Sequence, residues 1–113
     1  MDETEILQLI RLKASQMGVV LSRNNCGKFQ DRNGRWVSFG VFSPGGSDLL
    51  GFRPIIVTSE MIGQRIAQFV AIEVKQPGKK PTPEQAHFIE TVQKAGGLAG
   101  ILTDPEQVKI FLK

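Results

Sequence analysis

One cysteine, Cys26, and one histidine, His87, are all that the chain offers of these residue types. A single thiol excludes an internal disulfide and any multi-cysteine zinc site. Cys26 has no histidine near it in sequence, which disfavours thiol catalysis. His87 stands two residues past Gln85 and off its helical face. That position suits the surface or helix packing, so a histidine general base is not expected. No run of about 18 apolar residues occurs, so no membrane-spanning helix is expected. No Gly-Lys-Ser/Thr follows Gly45-Gly46, so the turn is not a phosphate loop of the nucleotide-binding kind. The opening Met1-Asp2-Glu3-Thr4-Glu5 is acidic and lacks the apolar stretch of a signal peptide. Together with the lone cysteine, this leads us to expect a cytoplasmic protein. Internal repeats, low-complexity segments and a domain linker are also lacking.

What is there suits one globular domain over residues 1–113. Hydrophobic residues make up 41% of the sequence, too many for a disordered tail. The net charge of +3 is unevenly spread. Residues 20–80 hold nine basic against four acidic side chains, a balance of +5, and the remainder holds five against seven, a balance of −2. A positive middle makes a polyanion a reasonable partner, although an ordinary solvated surface has the same composition.

The pattern of apolar residues predicts an amphipathic helix over residues 2–17, carrying Ile6, Leu7, Leu9, Ile10 and Leu12, with acids in its first turn and Gly18 as its stop. Val19-Val20-Leu21 predicts a short strand. Residues 23–34 are polar and turn-rich, and Asn33-Gly34 before a strand signals a hairpin. Strands are predicted over residues 35–42, over 49–58 with an interruption at Arg53-Pro54, and over 64–75. Thr82-Pro83-Glu84-Gln85 has the form of a capping box with proline at the first helical position, opening a helix to about Ala95 that buries Phe88, Ile89 and Val92. Leu98 to Leu102 predicts a buried strand, and Asp104-Pro105 opens a short last helix. The expected fold is α/β, a mixed sheet flanked by helices with α-β-β-β-α-β-α as its core order. The strands on either side of the crossover helix should be parallel neighbours.

Two stretches carry candidate chemistry. Side chains two apart on a strand share a face, so Glu73 and Lys75 point one way and Val74 the other. The apolar neighbours Phe69, Val70, Ala71 and Ile72 suggest that this pair sits where a strand leaves the core. An acid taken out of water there needs a partner or a cation. Asp48 lies in the Gly-rich turn Gly45-Gly46-Ser47-Asp48. If it comes alongside, two carboxylates can hold a divalent metal while the lysine steers a water or an oxyanion. Glu5, in the first helix, is either a helix-dipole partner or a carboxylate at the edge of this site.

Gly46-Ser47-Asp48-Leu49-Leu50-Gly51, Ile72-Glu73-Val74-Lys75 and Gln85 within Thr82-Pro83-Glu84-Gln85-Ala86-His87-Phe88-Ile89 resemble the VRR-NUC family of the PD-(D/E)XK nuclease superfamily. Arg23-Asn24, Gly34-Arg35-Trp36-Val37 and Gly96-Gly97-Leu98-Ala99-Gly100 resemble it too, so the likeness spans nearly the whole chain. Its small stand-alone members occur in phages, which would place this protein in the host cytoplasm. Ser47 stands where the superfamily name has proline. The resemblance implies a restriction-endonuclease-like mixed β-sheet flanked by helices, with an α-β-β-β-α-β core. It implies Asp48, Glu73 and the Val74 carbonyl as ligands for Mg²⁺ or Mn²⁺, with Glu5 as a further ligand from the first helix. Lys75 would position the attacking water and stabilise charge on phosphorus. Gln85 would approach the site from its helix, in competition with its capping role.

The expected function is therefore a metal-dependent DNA endonuclease that hydrolyses phosphodiester bonds. Arg23, Lys28, Arg35, Lys79 and Lys80 are the expected backbone contacts. The small footprint and the resemblance both point to a homodimer selective for branched or junction DNA. Two rivals remain: a catalytically inert nucleic-acid binder with the same fold, and an unrelated α/β interaction module whose acid and lysine pair is structural.

Overall fold

Helix α1 (Glu3–Gln16) begins where Asp2 caps it, its Oδ1 accepting the Glu5 N–H at 2.8 Å. Glu3 and Glu5 sit in the first turn, where the helix dipole favours acids. Gly18, at φ +78°, takes the left-handed conformation that ends the helix. In the computed structural model, which describes Met1–Lys113, the chain divides into two compact units, Met1–Arg53 and Pro54–Lys113.

In the first unit, β1 (Val20–Arg23) pairs antiparallel with β4 (Leu49–Phe52), from Val20↔Phe52 to Arg23↔Leu49. Helix α1 packs on β1, and Arg11 Nε donates to the Leu21 carbonyl at 3.3 Å. Strands β2 (Gly27–Gln30) and β3 (Trp36–Phe39) form the hairpin that Asn33-Gly34 signals. Asp31 closes its turn, with Oδ1 accepting the N–H groups of Asn33 and Arg35, both at 2.9 Å. Strand β2 lies in a stretch whose sequence is polar and turn-rich, and it is a strand because β3 supplies its hydrogen bonds.

In the second unit, β5 (Val70–Val74) and β6 (Leu98–Leu102) are parallel, in register from Val70↔Leu98 to Val74↔Leu102, and α2 (Pro83–Lys94) crosses between them. This is the expected βαβ unit. Thr82 Oγ1 accepts the Gln85 N–H at 3.1 Å while Gln85 Oε1 accepts the Thr82 N–H at 2.9 Å, completing the capping box. On the solvent side of α2, Lys94 lies 2.8 Å from Glu90. That hydrogen bond holds the Glu90 carboxyl below the usual carboxylate range and raises the Lys94 ammonium above its own. Asp104 caps a 3-10 turn over Pro105–Gln107, and α3 (Val108–Phe111) follows it.

The two faces of the β5/β6 pair can be told apart. A Cβ at Gly97 would press on Val92 of α2, and one at Gly100 would lie 2.9 Å from the Phe111 ring of α3. By alternation, Ala71, Glu73, Ala99 and Ile101 share the face toward α2. Val92 and Ala99 are the buried apolar residues there. Strand residues Val70, Ile72 and Val74 take the other face and are exposed, Val74 to 75%, although the sequence suggests an interior position for them. The small side chains of Ala71, Gly97 and Ala99 let α2 close on one face, and the short α3 covers only part of the other.

Two strands are shorter than the sequence predicts. Strand β4 stops at Phe52, because Pro54 has no N–H to continue a ladder. Residues 64–68 lie outside the ladder, so β5 has five residues, Val70–Val74. In place of one mixed sheet the structure has three two-stranded sheets, two antiparallel and one parallel. No helix is long and apolar enough to cross a membrane. Because Val92 is the one large side chain fully buried, Val92→Ala should lower unfolding stability by about 2 kcal/mol. Ile110→Ser, at a residue 81% exposed, should change it by less than about 0.5 kcal/mol, both read by urea denaturation.

Candidate functional site

The second unit holds the acid and lysine pair as the sequence requires. Glu73 and Lys75 lie on the α2-facing side of β5, with side chains 30% and 20% exposed, while Val74 points away. Lys75 Nζ is 3.8 Å from Glu73 Oε1. That distance allows attraction between the charges but is too long for a hydrogen bond. No hydrogen bond from the protein reaches the Glu73 carboxylate either, so a partly covered acid has oxygens to spare. The Lys75 backbone N–H donates to Leu102 at 3.1 Å, which carries the ladder one residue past β5 and fixes where the lysine starts.

Gln85 belongs to the same end of this unit, because the chain leaves β5 at Lys75 and enters α2 after Thr82. It is half-buried, and it shares a helical stripe with Ile89 and Val92, the stripe that faces the sheet. Sequence considerations give its side chain either to the cap or to the site. Its oxygen is in the cap, which leaves the amide nitrogen as the group that can act elsewhere. His87 is exposed, as expected.

In the first unit, one side chain holds Asp48 in place. Asn24 Nδ2 donates to the carbonyls of Val41 at 2.9 Å and Ser47 at 3.0 Å, and Asn24 Oδ1 accepts the Val41 N–H at 2.8 Å. The Asn24 backbone N–H donates to the Asp48 carbonyl at 2.8 Å. The Cys26 thiol fills the space beneath: a Cβ at Gly40 would lie 2.7 Å from Sγ, and one at Gly46 would lie 3.2 Å from it. The loop from Gly40 to Asp48 is therefore pinned at both ends to the end of β1. Gly40 and Gly46 are needed for close approach, and Gly40 and Gly45 for their φ of +102° and +91°. Cys26 thus has a packing role.

Asp48 opens onto a cleft of about 390 Å³ between α1 and the end of β1. Glu3, Ile6, Leu7 and Ile10 line its helical wall, and Arg23, Asn24, Cys26 and Asp48 line the other. The acid that α1 contributes is Glu3, whereas the resemblance implied Glu5. Residues 3, 6, 7 and 10 follow one helical stripe, and Glu5 lies off it. That spacing sets Glu3 beside Ile6, Leu7 and Ile10 on the cleft wall. No group of three His, Cys, Asp or Glu side chains gathers as a metal cage.

The expected DNA-contact residues differ in their freedom. Lys28, Lys79 and Lys80 are exposed, with Lys79 in a turn at Gly78. Arg23 donates to Asn25 Oδ1 at 2.9 Å, and Arg35 is tied to Asp31 at 3.3 Å. Asn24→Ala should leave the Val41 N–H and the Val41 and Ser47 carbonyls without their partner. Amide exchange at Val41 and Asn24 should then speed up more than about tenfold, with amides of β5 and β6 unchanged.

Comparison with family models, with curated proteins and with solved structures yields no match to this chain.

Proposed function

We propose that this protein is a metal-dependent DNA endonuclease of the restriction-endonuclease-like kind, hydrolysing phosphodiester bonds. The observation that carries the proposal is Glu73: an acid partly removed from water, without a hydrogen-bond donor, beside a lysine at 3.8 Å. A purely structural ion pair would gain by closing to hydrogen-bond distance. This one leaves the carboxylate oxygens available on the α2-facing side of β5.

The donor chemistry suits Mg²⁺ or Mn²⁺. Mg²⁺ is commonly held by one or two carboxylates, with water completing its shell, so a three-acid cage is not required. The hard-oxygen donors that the resemblance implies are Asp48 in the first unit, and Glu73 and the Val74 carbonyl in the second. Glu3, which shares a cleft with Asp48, replaces Glu5 as the acid offered from α1. Once bound, the cation would polarise the phosphate and make a water more acidic.

The other roles belong to the chain's own side chains. Lys75 orients the attacking water and stabilises the negative charge that develops on the phosphate oxygens. The Gln85 amide nitrogen can donate toward the same end of the βαβ unit. Asn24 holds the Asp48 loop in position without touching substrate. Lys28, Lys79 and Lys80 contact the phosphate backbone, which places the DNA without reading its sequence. Branched or junction DNA cut by a homodimer is the substrate arrangement that such a small footprint favours.

The test incubates the protein with linear, flapped and four-way DNA in Mg²⁺, Mn²⁺ or EDTA. Cleavage should require the metal, disappear in Glu73→Ala and fall about 10²- to 10³-fold in Lys75→Ala. Binding without metal-dependent cleavage would make the protein an inert nucleic-acid binder. Neither binding nor cleavage would leave the acid and lysine pair as structure alone.

A further inference from the structure

The β2/β3 hairpin is a two-stranded ribbon with unlike faces. Paired residues on antiparallel strands share a face, so the register Gly27↔Phe39, Phe29↔Val37 collects one apolar set. Its rings, Phe29 and Phe39, lie 6.3 Å apart between centroids. The pairs Lys28↔Ser38 and Gln30↔Trp36 make up the other face. Within its unit, no helix or strand packs extensively on the ribbon. Trp36 is 68% exposed on the polar face, diagonal to Lys28. At the tip Arg35 is engaged with Asp31, whereas Arg32 is exposed and makes no ion pair.

We infer that this ribbon face binds an unpaired segment of DNA, with Trp36 stacking on a base and Lys28 and Arg32 contacting the flanking phosphates. An exposed indole face beside free cations is complementary to a nucleotide, which presents a flat π-system and a negative charge together. A paired base is already stacked on both sides, so the indole reaches one only where the strand is open. The inference deepens the proposed nuclease function. It supplies a physical source of selectivity for flapped or branched DNA and makes the hairpin an arm that finds the single-stranded part.

Trp36 is the only tryptophan, so its emission reports on this face alone. The full chain in EDTA, titrated with an oligothymidylate of roughly 12 nucleotides, should show quenching that a blunt duplex of the same length does not match. Measured by anisotropy of a labelled oligothymidylate, Trp36→Ala should weaken binding roughly tenfold to a hundredfold. Trp36→Phe should retain most of the affinity, and Arg32→Gln should reduce the salt slope by about one. Emission unchanged at saturating oligothymidylate, equal quenching by the duplex, or unchanged affinity in Trp36→Ala would overturn the inference. Because EDTA is present, these outcomes are independent of whether the protein cleaves DNA.

Discussion

A carboxylate kept partly out of water without a hydrogen bond is the constraint on which the second unit is organised. Glu73 reaches that condition because it lies on the α2-facing side of β5, where small residues allow the helix to approach. The helix starts sharply because Thr82 and Gln85 cap each other and Pro83 fits the first turn. Weakening either the small-residue contact or the cap would let water reach Glu73. The acid would then become one more solvated surface charge. Lys75 offsets part of the cost of desolvation through its charge, but at 3.8 Å it does not occupy the carboxylate oxygens. An acid in this state is suited to a cation.

The first unit solves a different problem. Asp48 is exposed and follows a loop rich in glycine, a setting that would ordinarily leave a side chain poorly placed. Asn24 corrects this by standing in for a strand partner, both donating to and accepting from Val41. One amide side chain thus converts a loop into a fixed platform beside β1. The thiol of Cys26, packed against Gly40 and Gly46, fills the space that side chains there would need.

Local chemistry explains what could be read in the sequence. Capping residues and turn residues act over three or four positions, so the starts of α1 and α2, the Asn33-Gly34 hairpin and the span of β6 were all legible. The parallel β5/β6 pair followed from connection length. Strand limits were not, since Pro54 stops β4 while nothing in residues 64–68 announces that β5 begins only at Val70. Exposure of Val70, Ile72 and Val74 was hidden for a related reason: β-branched residues favour strands whichever face is covered. For the candidate site, the Glu73 and Lys75 facing was readable from a two-residue period. The double claim on Gln85 was visible but could be resolved only by the hydrogen bonds. Glu3 was missed because the resemblance drew attention to Glu5, although the stripe of Ile6, Leu7 and Ile10 pointed to residue 3.

Our central proposal is that Glu73, with Lys75 beside it, offers its carboxylate to a divalent cation. Paramagnetic broadening of amide resonances by substoichiometric Mn²⁺ tests it most directly. Amides from Glu73 to Lys75 should broaden along one titration curve, recover when EDTA is added, and stay sharp in Glu73→Ala. Amides from Glu73 to Lys75 that stay sharp, or that broaden equally in Glu73→Ala, would contradict it.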